Sequence, residues 1–173
     1  LALATLASYL LLYTPLKSRS HFCTFVGAFP GAAPPLIGWA AAQGSLGPEA
    51  WALYAMLFLW QFPHFLAIAW MYRQDYARAG MLMLPPADDS GRATFGQILL
   101  FSALLVPVSF LPVALGIAGP VYLAGAALLG AGFLASGIWA ARERSAARAR
   151  VVLHASVAYL PLVYVLLALD RRA

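Results

Sequence analysis

Three groups of side chains in this chain have types and spacings suited to chemistry. Tyr13 and Lys17 stand four residues apart. They share a helix face if the turn persists across Pro15. A tyrosine hydroxyl beside a lysine ammonium suits a diphosphate oxygen, and equally suits a snorkelling pair at a membrane interface. Arg73, Asp75, Tyr76 and Arg78 form the second group, with Asp75 the lone acid between Glu49 and Asp88. An aspartate between two arginines makes a local ion pair. It also supplies one carboxylate to a magnesium ion whose remaining ligands are phosphate and water oxygens. His64 is the third feature. It precedes Asp75 by eleven residues, so a regular helix would set the two on one stripe, about 16 Å apart in depth. Gln61, one turn earlier, adds a polar group expected on the same side. His64 reads either as a neutral imidazole bonded to a carbonyl freed by Pro63, or as a ligand for a metal or haem iron, or as an acid–base group.

These residues sit in an apolar chain. Hydrophobic residues make up 63% and charged residues 10%, with a mean hydropathy of +0.81. Soluble domains carry roughly 25% charged residues, so lipid must solvate much of this surface. The net charge of +5 then reads as topology, not as nucleic-acid binding. The single cysteine, Cys23, excludes an internal disulfide and a cysteine-built zinc site; it reads as a small buried hydrophobe.

The apolar runs predict an all-α multi-helix transmembrane bundle, one domain over residues 1–173. Its segments are Leu1–Tyr13, Phe22–Ala42, Ala50–Tyr72, Phe95–Ala118, Val121–Ala141 and Val151–Leu169. The first is shorter than the roughly 20 residues that cross a bilayer, and the chain is expected to begin inside a helix. Prolines 34, 35, 107 and 112 are expected to bend or interrupt spans. Trp51 and Trp70 are expected as interfacial anchors. Asp88-Asp89-Ser90-Gly91 reads as a turn, Gly119-Pro120 as a tight turn, and Arg142–Arg150 as a basic loop or a continuation of the helix.

Alternation sorts the loops onto two faces. Lys17, Arg19, Arg73, Arg78, Arg92, Arg142, Arg144, Arg148 and Arg150 fall on one, and only Arg171 and Arg172 on the other. The positive-inside bias assigns the first face to the cytoplasm or matrix. The loops near Lys17 and Asp75 share it, which suggests one site built from both.

Taken together, YTPLKS at Tyr13–Ser18, GAAPPLIGWAAAQGSL at Gly31–Leu46, WQFPHF, RQDYARAG and MLPP resemble the protohaem IX farnesyltransferase (haem O synthase) family of UbiA-type intramembrane prenyltransferases. The clear motifs run from about Leu10 to Pro86, and beyond them the likeness continues as helix count and PVSFLP at Pro107–Pro112. The resemblance implies a bundle of nine transmembrane helices, of which this chain holds about six. It implies magnesium-dependent transfer of the farnesyl group of farnesyl diphosphate to a vinyl group of haem B. By the same resemblance Tyr13, Lys17, Arg19 and Arg73 hold the diphosphate. Asp75 falls on the second acidic motif and holds magnesium, and His64 falls on the histidine of the P-H-F run, with haem ligation as the hypothesis.

Several departures qualify this. The family's first acidic motif would lie upstream of Leu1, so this stretch alone is expected to be inactive. Cys23 stands where the family often has asparagine. Ala79 stands where the aromatic prenyltransferases carry a second acid, which agrees with the haem branch. A bacterial cytoplasmic membrane is expected, with the mitochondrial inner membrane as the alternative, and haem A synthase as a partner. The rival readings are another polyprenyltransferase acting on a quinone or chlorophyll precursor, a transporter built on broken helices, and a non-catalytic haem-handling membrane protein.

Overall fold

A computed structural model describes residues 1–16, 23–80 and 84–172. Among them every regular element is helical. Helix α1 covers Ala2–Leu16, with a π-helical stretch at Tyr9–Tyr13. It is followed by α2 (Cys23–Gly31), α3 (Pro34–Gln43), α4 (Pro48–Met71), α5 (Arg73–Arg78), α6 (Leu84–Ala87), α7 (Arg92–Val108), α8 (Leu111–Ala114), α9 (Pro120–Glu143) and α10 (Ala146–Leu169). Five segments are long and apolar enough to cross a membrane: Cys23–Gln43, α4, Arg92–Ala114, α9 and α10. The protein is an integral membrane helical bundle.

Prolines begin helices here as often as they interrupt them. Pro34, Pro48 and Pro120 occupy first-turn positions of α3, α4 and α9, where a missing N–H costs nothing. Pro112 likewise opens α8. The break expected at Pro34-Pro35 therefore falls just before them, at Ala32-Ala33. Pro107 ends α7 within two residues, and the carbonyl of Ser109 loses its helical donors to Pro112 and to the turn. Tyr122 of α9 donates its hydroxyl to that carbonyl at 2.8 Å. The Ser109 hydroxyl bonds Leu105 O at 2.7 Å and also meets the Tyr159 hydroxyl of α10. A helix break inside an apolar bundle thus finds its partners on two other helices, as lipid requires.

Four helices close a ring in which α4 packs on α7, α7 on α9, α9 on α10 and α10 on α4. Helices α2 and α3 lean on α4 outside the ring, and α1 contacts α2. The α9 face carries Ala126, Gly130, Phe133, Gly137 and Ala140, all buried. A Cβ at Gly130 would lie 3.3 Å from Val106, and one at Gly137 3.5 Å from Ile98. Small residues are what let α7 approach α9 this closely.

Two ends of the bundle are distinct. At one, the Trp70 indole N–H donates to Arg144 O at 2.9 Å, and Arg144 donates to Ser90 O at 3.1 Å. The segments bearing Arg73, Arg78, Arg92, Arg142 and Arg144 therefore meet there. At the other, Asp170 accepts from the Tyr122 N–H at 2.8 Å and from the Gly119 N–H at 3.0 Å through its backbone carbonyl. A cleft at this end is lined by Gln43, Glu49, Ile117, Arg171 and Arg172. Among the described residues, the two-face sorting of these segments holds in space.

Of the two readings of Arg142–Arg150, helix holds: α9 runs to Glu143 and α10 starts at Ala146. Only Arg144, in the left-handed region at φ 55°, and Ser145 stand outside helix. The Ser145 hydroxyl accepts the Arg148 N–H at 3.3 Å, an N-cap. The stretch Arg73–Thr94 is partly helical, holding α5, α6 and the start of α7. Trp70 is no interfacial anchor, being 3% exposed; Trp51, half exposed, keeps that description.

Candidate functional site

At the Arg-rich end, α4 stops at Met71 and Tyr72 departs from helical geometry with φ −108° and ψ 22°. The chain restarts as α5, which carries Arg73, Asp75, Tyr76 and Arg78. Asp75 is exposed, and its ion pair with Arg78 is long at 3.5 Å. Such a pair contributes little, so the carboxylate is available to another cation. Arg73 is held more firmly, its guanidinium carbon 4.3 Å above the Trp70 ring in a cation–π contact.

Trp70 gathers this end. Besides Arg73 and the Arg144 carbonyl, it meets Phe95 edge-on at 5.2 Å and lies against Gly91, where a Cβ would fall 2.6 Å from its ring. Asp88 secures the same loop. Partial burial pushes its carboxyl up, but hydrogen bonds from Thr94, Ser90 and the Gly91 N–H outweigh that and hold it below its ordinary value. Its Oδ2 accepts both the Thr94 N–H at 2.8 Å and the Thr94 hydroxyl at 2.9 Å. The turn read at Asp88–Gly91 is present and caps α7.

Tyr13 reaches the same neighbourhood. Its ring lies against Gly27 of α2, where a Cβ would fall 2.5 Å away, and it is within electrostatic range of Cys23 and Tyr76. The structure therefore brings the end of α1 toward α5. Lys17 and Arg19, expected beside them, lie outside the described residues, as does the Met81–Met83 exit. Cys23 is buried and free.

A cleft of about 470 Å³ opens between α2, α4, α6 and α7. Phe25, Phe62, Leu66 and Phe101 wall it, and Thr24 and Gln97 are polar points on its lining. Phe62 and Phe101 stack at 3.9 Å. Leu84 of α6 contributes to the lining, and α6 packs against α5, so the apolar cleft adjoins the segment bearing Asp75. Phe62 lines this cleft, whereas its neighbour Trp60 stacks on His64 and Phe65 is partly exposed.

His64 does not share a stripe with Asp75, because the helix breaks at Tyr72. Nor does it share a side with Gln61. Gln61 turns to α2, donating to Ala28 O and to its own Leu57 O, each at 3.2 Å. His64 turns to α10, where its Nδ1 lies 2.8 Å from the Ser156 hydroxyl. The expected carbonyl freed by Pro63 is not its partner. Ser156, Trp70, Thr24 and Gln97 are contributors that sequence reasoning passed over. A hydroxyl inside the apolar run Val151–Leu169 was the available signal for Ser156.

No cluster of three or more His, Cys, Asp or Glu side chains is found among the described residues. Asp75 fits magnesium as one ligand: it is exposed, an oxygen donor and weakly paired. Magnesium commonly uses one or two carboxylates together with substrate phosphates and water.

The chain is 59% identical over 167 residues to a Protoheme IX farnesyltransferase of Solibacter usitatus, covering 96% of this chain and 57% of that protein. Proteins of the same name from Koribacter versatilis and Salinibacter ruber are 46% and 48% identical, covering 99% and 94% of the chain. The chain spans 57% of the length of each of these relatives. No solved structure matches. The UbiA prenyltransferase family matches over residues 1–162, nearly the whole chain, and the chain belongs to that family.

Proposed function

We propose that this chain is part of a haem O synthase, which transfers the farnesyl group of farnesyl diphosphate to a vinyl group of haem B. The observation that carries this reading is the 59% identity, spread over 96% of the chain, to a relative named for that reaction. The cleft beside α5 supports it. An apolar, aromatic-walled space suits a prenyl chain, and an end rich in arginine suits a diphosphate.

In this reading Tyr13, Lys17, Arg19 and Arg73 hold the diphosphate. Arg73 is restricted in advance by its stack on Trp70, so less freedom is lost on binding. Asp75 contributes one carboxylate to a magnesium ion. Bound there, magnesium neutralises charge on the departing diphosphate. Lys17 and Arg73 add fixed positive charge at the same place, where charge develops as the bond to the allylic carbon breaks. Phe25, Phe62 and Phe101 keep water from the farnesyl cation. The haem vinyl carbon then bonds to the farnesyl cation, leaving positive charge on the other vinyl carbon, and water adds there and loses a proton to give the hydroxyl of haem O. His64 ligates the haem iron.

The positive-inside bias puts this site at the cytoplasmic face of a bacterial inner membrane, and haem A synthase is the partner expected to receive the product. The test is Asp75→Asn in the full-length protein. Haem O formation in membranes should fall at least about a hundredfold while the protein still inserts. An unchanged rate would refute the role of Asp75.

A further inference from the structure

The His64 imidazole is held by more than its own helix. Ser156 of α10 is fully buried, and its Oγ has two partners: Leu153 O at 2.7 Å and His64 Nδ1 at 2.8 Å. A hydroxyl has one hydrogen to give, and a carbonyl oxygen can only accept. The Ser156 proton is therefore committed to Leu153. The other contact must run the opposite way, with Nδ1–H donating to Oγ. A neutral imidazole carries one N–H, so Nε2 is left with its lone pair.

The ring is fixed as well as assigned. Trp60 stacks on it with centroids 4.5 Å apart and planes at 21°. The Trp60 indole N–H donates to the backbone carbonyl of the same Ser156 at 2.8 Å. Phe65 meets the ring edge-on at 5.3 Å. One α10 residue thus grips both the imidazole and the indole that covers it. Nε2 has no protein partner among the described residues and is not among the sealed polar atoms there, of which Ser102 Oγ is the example.

We propose that Ser156 is a positioning residue for His64, fixing the Nδ1–H tautomer and presenting the Nε2 lone pair to the haem iron. This rests on the reading of His64 as the ligand of the haem substrate. Metal-bound imidazoles are oriented by a partner on their second nitrogen, and removing that partner commonly weakens metal binding about 10–100-fold.

The experiment uses the full-length protein, ¹⁵N-labelled at histidine, in lipid nanodiscs. His64→Gln identifies the His64 signals, and haem B titration gives affinity. The native protein should show protonated Nδ1 and unprotonated Nε2 without haem. Ser156→Ala should mix the tautomers and weaken haem binding about tenfold or more, whereas Ser156→Thr, which keeps the hydroxyl, should retain both properties. A native spectrum with Nε2 protonated would overturn the proposal even if the alanine variant fails to fold. So would a tautomer unchanged by alanine. If the tautomer is as stated but His64→Gln binds haem like the native protein, the ligand reading fails and the positioning role toward iron fails with it.

Discussion

Gly91→Ala offers a sharp test of how the Arg-rich end is packed. Gly91 sits at φ +69°, where an L-residue costs roughly 1–2 kcal/mol. An added Cβ would also fall 2.6 Å from Trp70 Cη2 and 3.2 Å from Arg144 Cδ. The arginine carbon can move. The indole cannot easily do so, because its N–H is tied to Arg144 O and its face carries Arg73. Overpacking of this kind adds about 1–3 kcal/mol, for a total of roughly 2–5 kcal/mol. Gly44 supplies the control: its φ is +70°, yet a Cβ there meets nothing within 4 Å, so Gly44→Ala should show only the conformational cost. Trp70→Phe removes the two ring atoms nearest Gly91. In that background Gly91→Ala should fall back to about 1–2 kcal/mol. The assay is equilibrium unfolding of the full-length protein in mixed micelles, followed by helical circular dichroism, with the four Gly91/Trp70 combinations as a double-mutant cycle. Equal penalties in both backgrounds, or equal penalties at Gly44 and Gly91, would refute the close seating of the loop on Trp70.

Other outcomes follow from the buried and capping polar groups. Asp88→Asn should cost about 1 kcal/mol at neutral pH, because a neutral amide oxygen accepts more weakly than a carboxylate. Because the native carboxyl is held below its ordinary value, its contribution is present above the unfolded value of 3.8. It is lost as pH falls through the folded value. The asparagine variant should lack that acid-side dependence in an unfolding series from pH 7 to pH 3. Tyr122→Phe should leave Ser109 O without its donor and destabilise by about 1–3 kcal/mol. A shift under 0.5 kcal/mol in the same assay would mean that the carbonyl finds another partner.

Local chemistry in the sequence predicted the spans well, because length and apolar content decide what can cross a bilayer. The Asp88 turn was equally legible, since its partners Ser90, Gly91 and Thr94 lie within six residues. At Arg142–Arg150 charge points to a loop and propensity to helix, and propensity prevails. Ala140, Ala141, Ala146, Ala147 and Ala149 favour helix strongly, and arginine is no breaker. What no local pattern could supply were pairings across the bundle. His64 meets Ser156 over 92 residues, and Trp70 meets Arg144 over 74. The helical period set Gln61 and His64 only about 60° apart, yet α2 and α10 pack on different sides of α4 and drew the two side chains apart.

The reversal at Arg144-Ser145 leaves only two residues between helices of 24 residues each. So short a link gives α9 and α10 no separate existence on the way into the bilayer. They must enter as a paired unit, with several arginines gathered at its tip. Those charges resist passage through hydrocarbon, so whichever face holds the tip, a bend barely wider than one turn of helix fixes the orientation of the last two spans together.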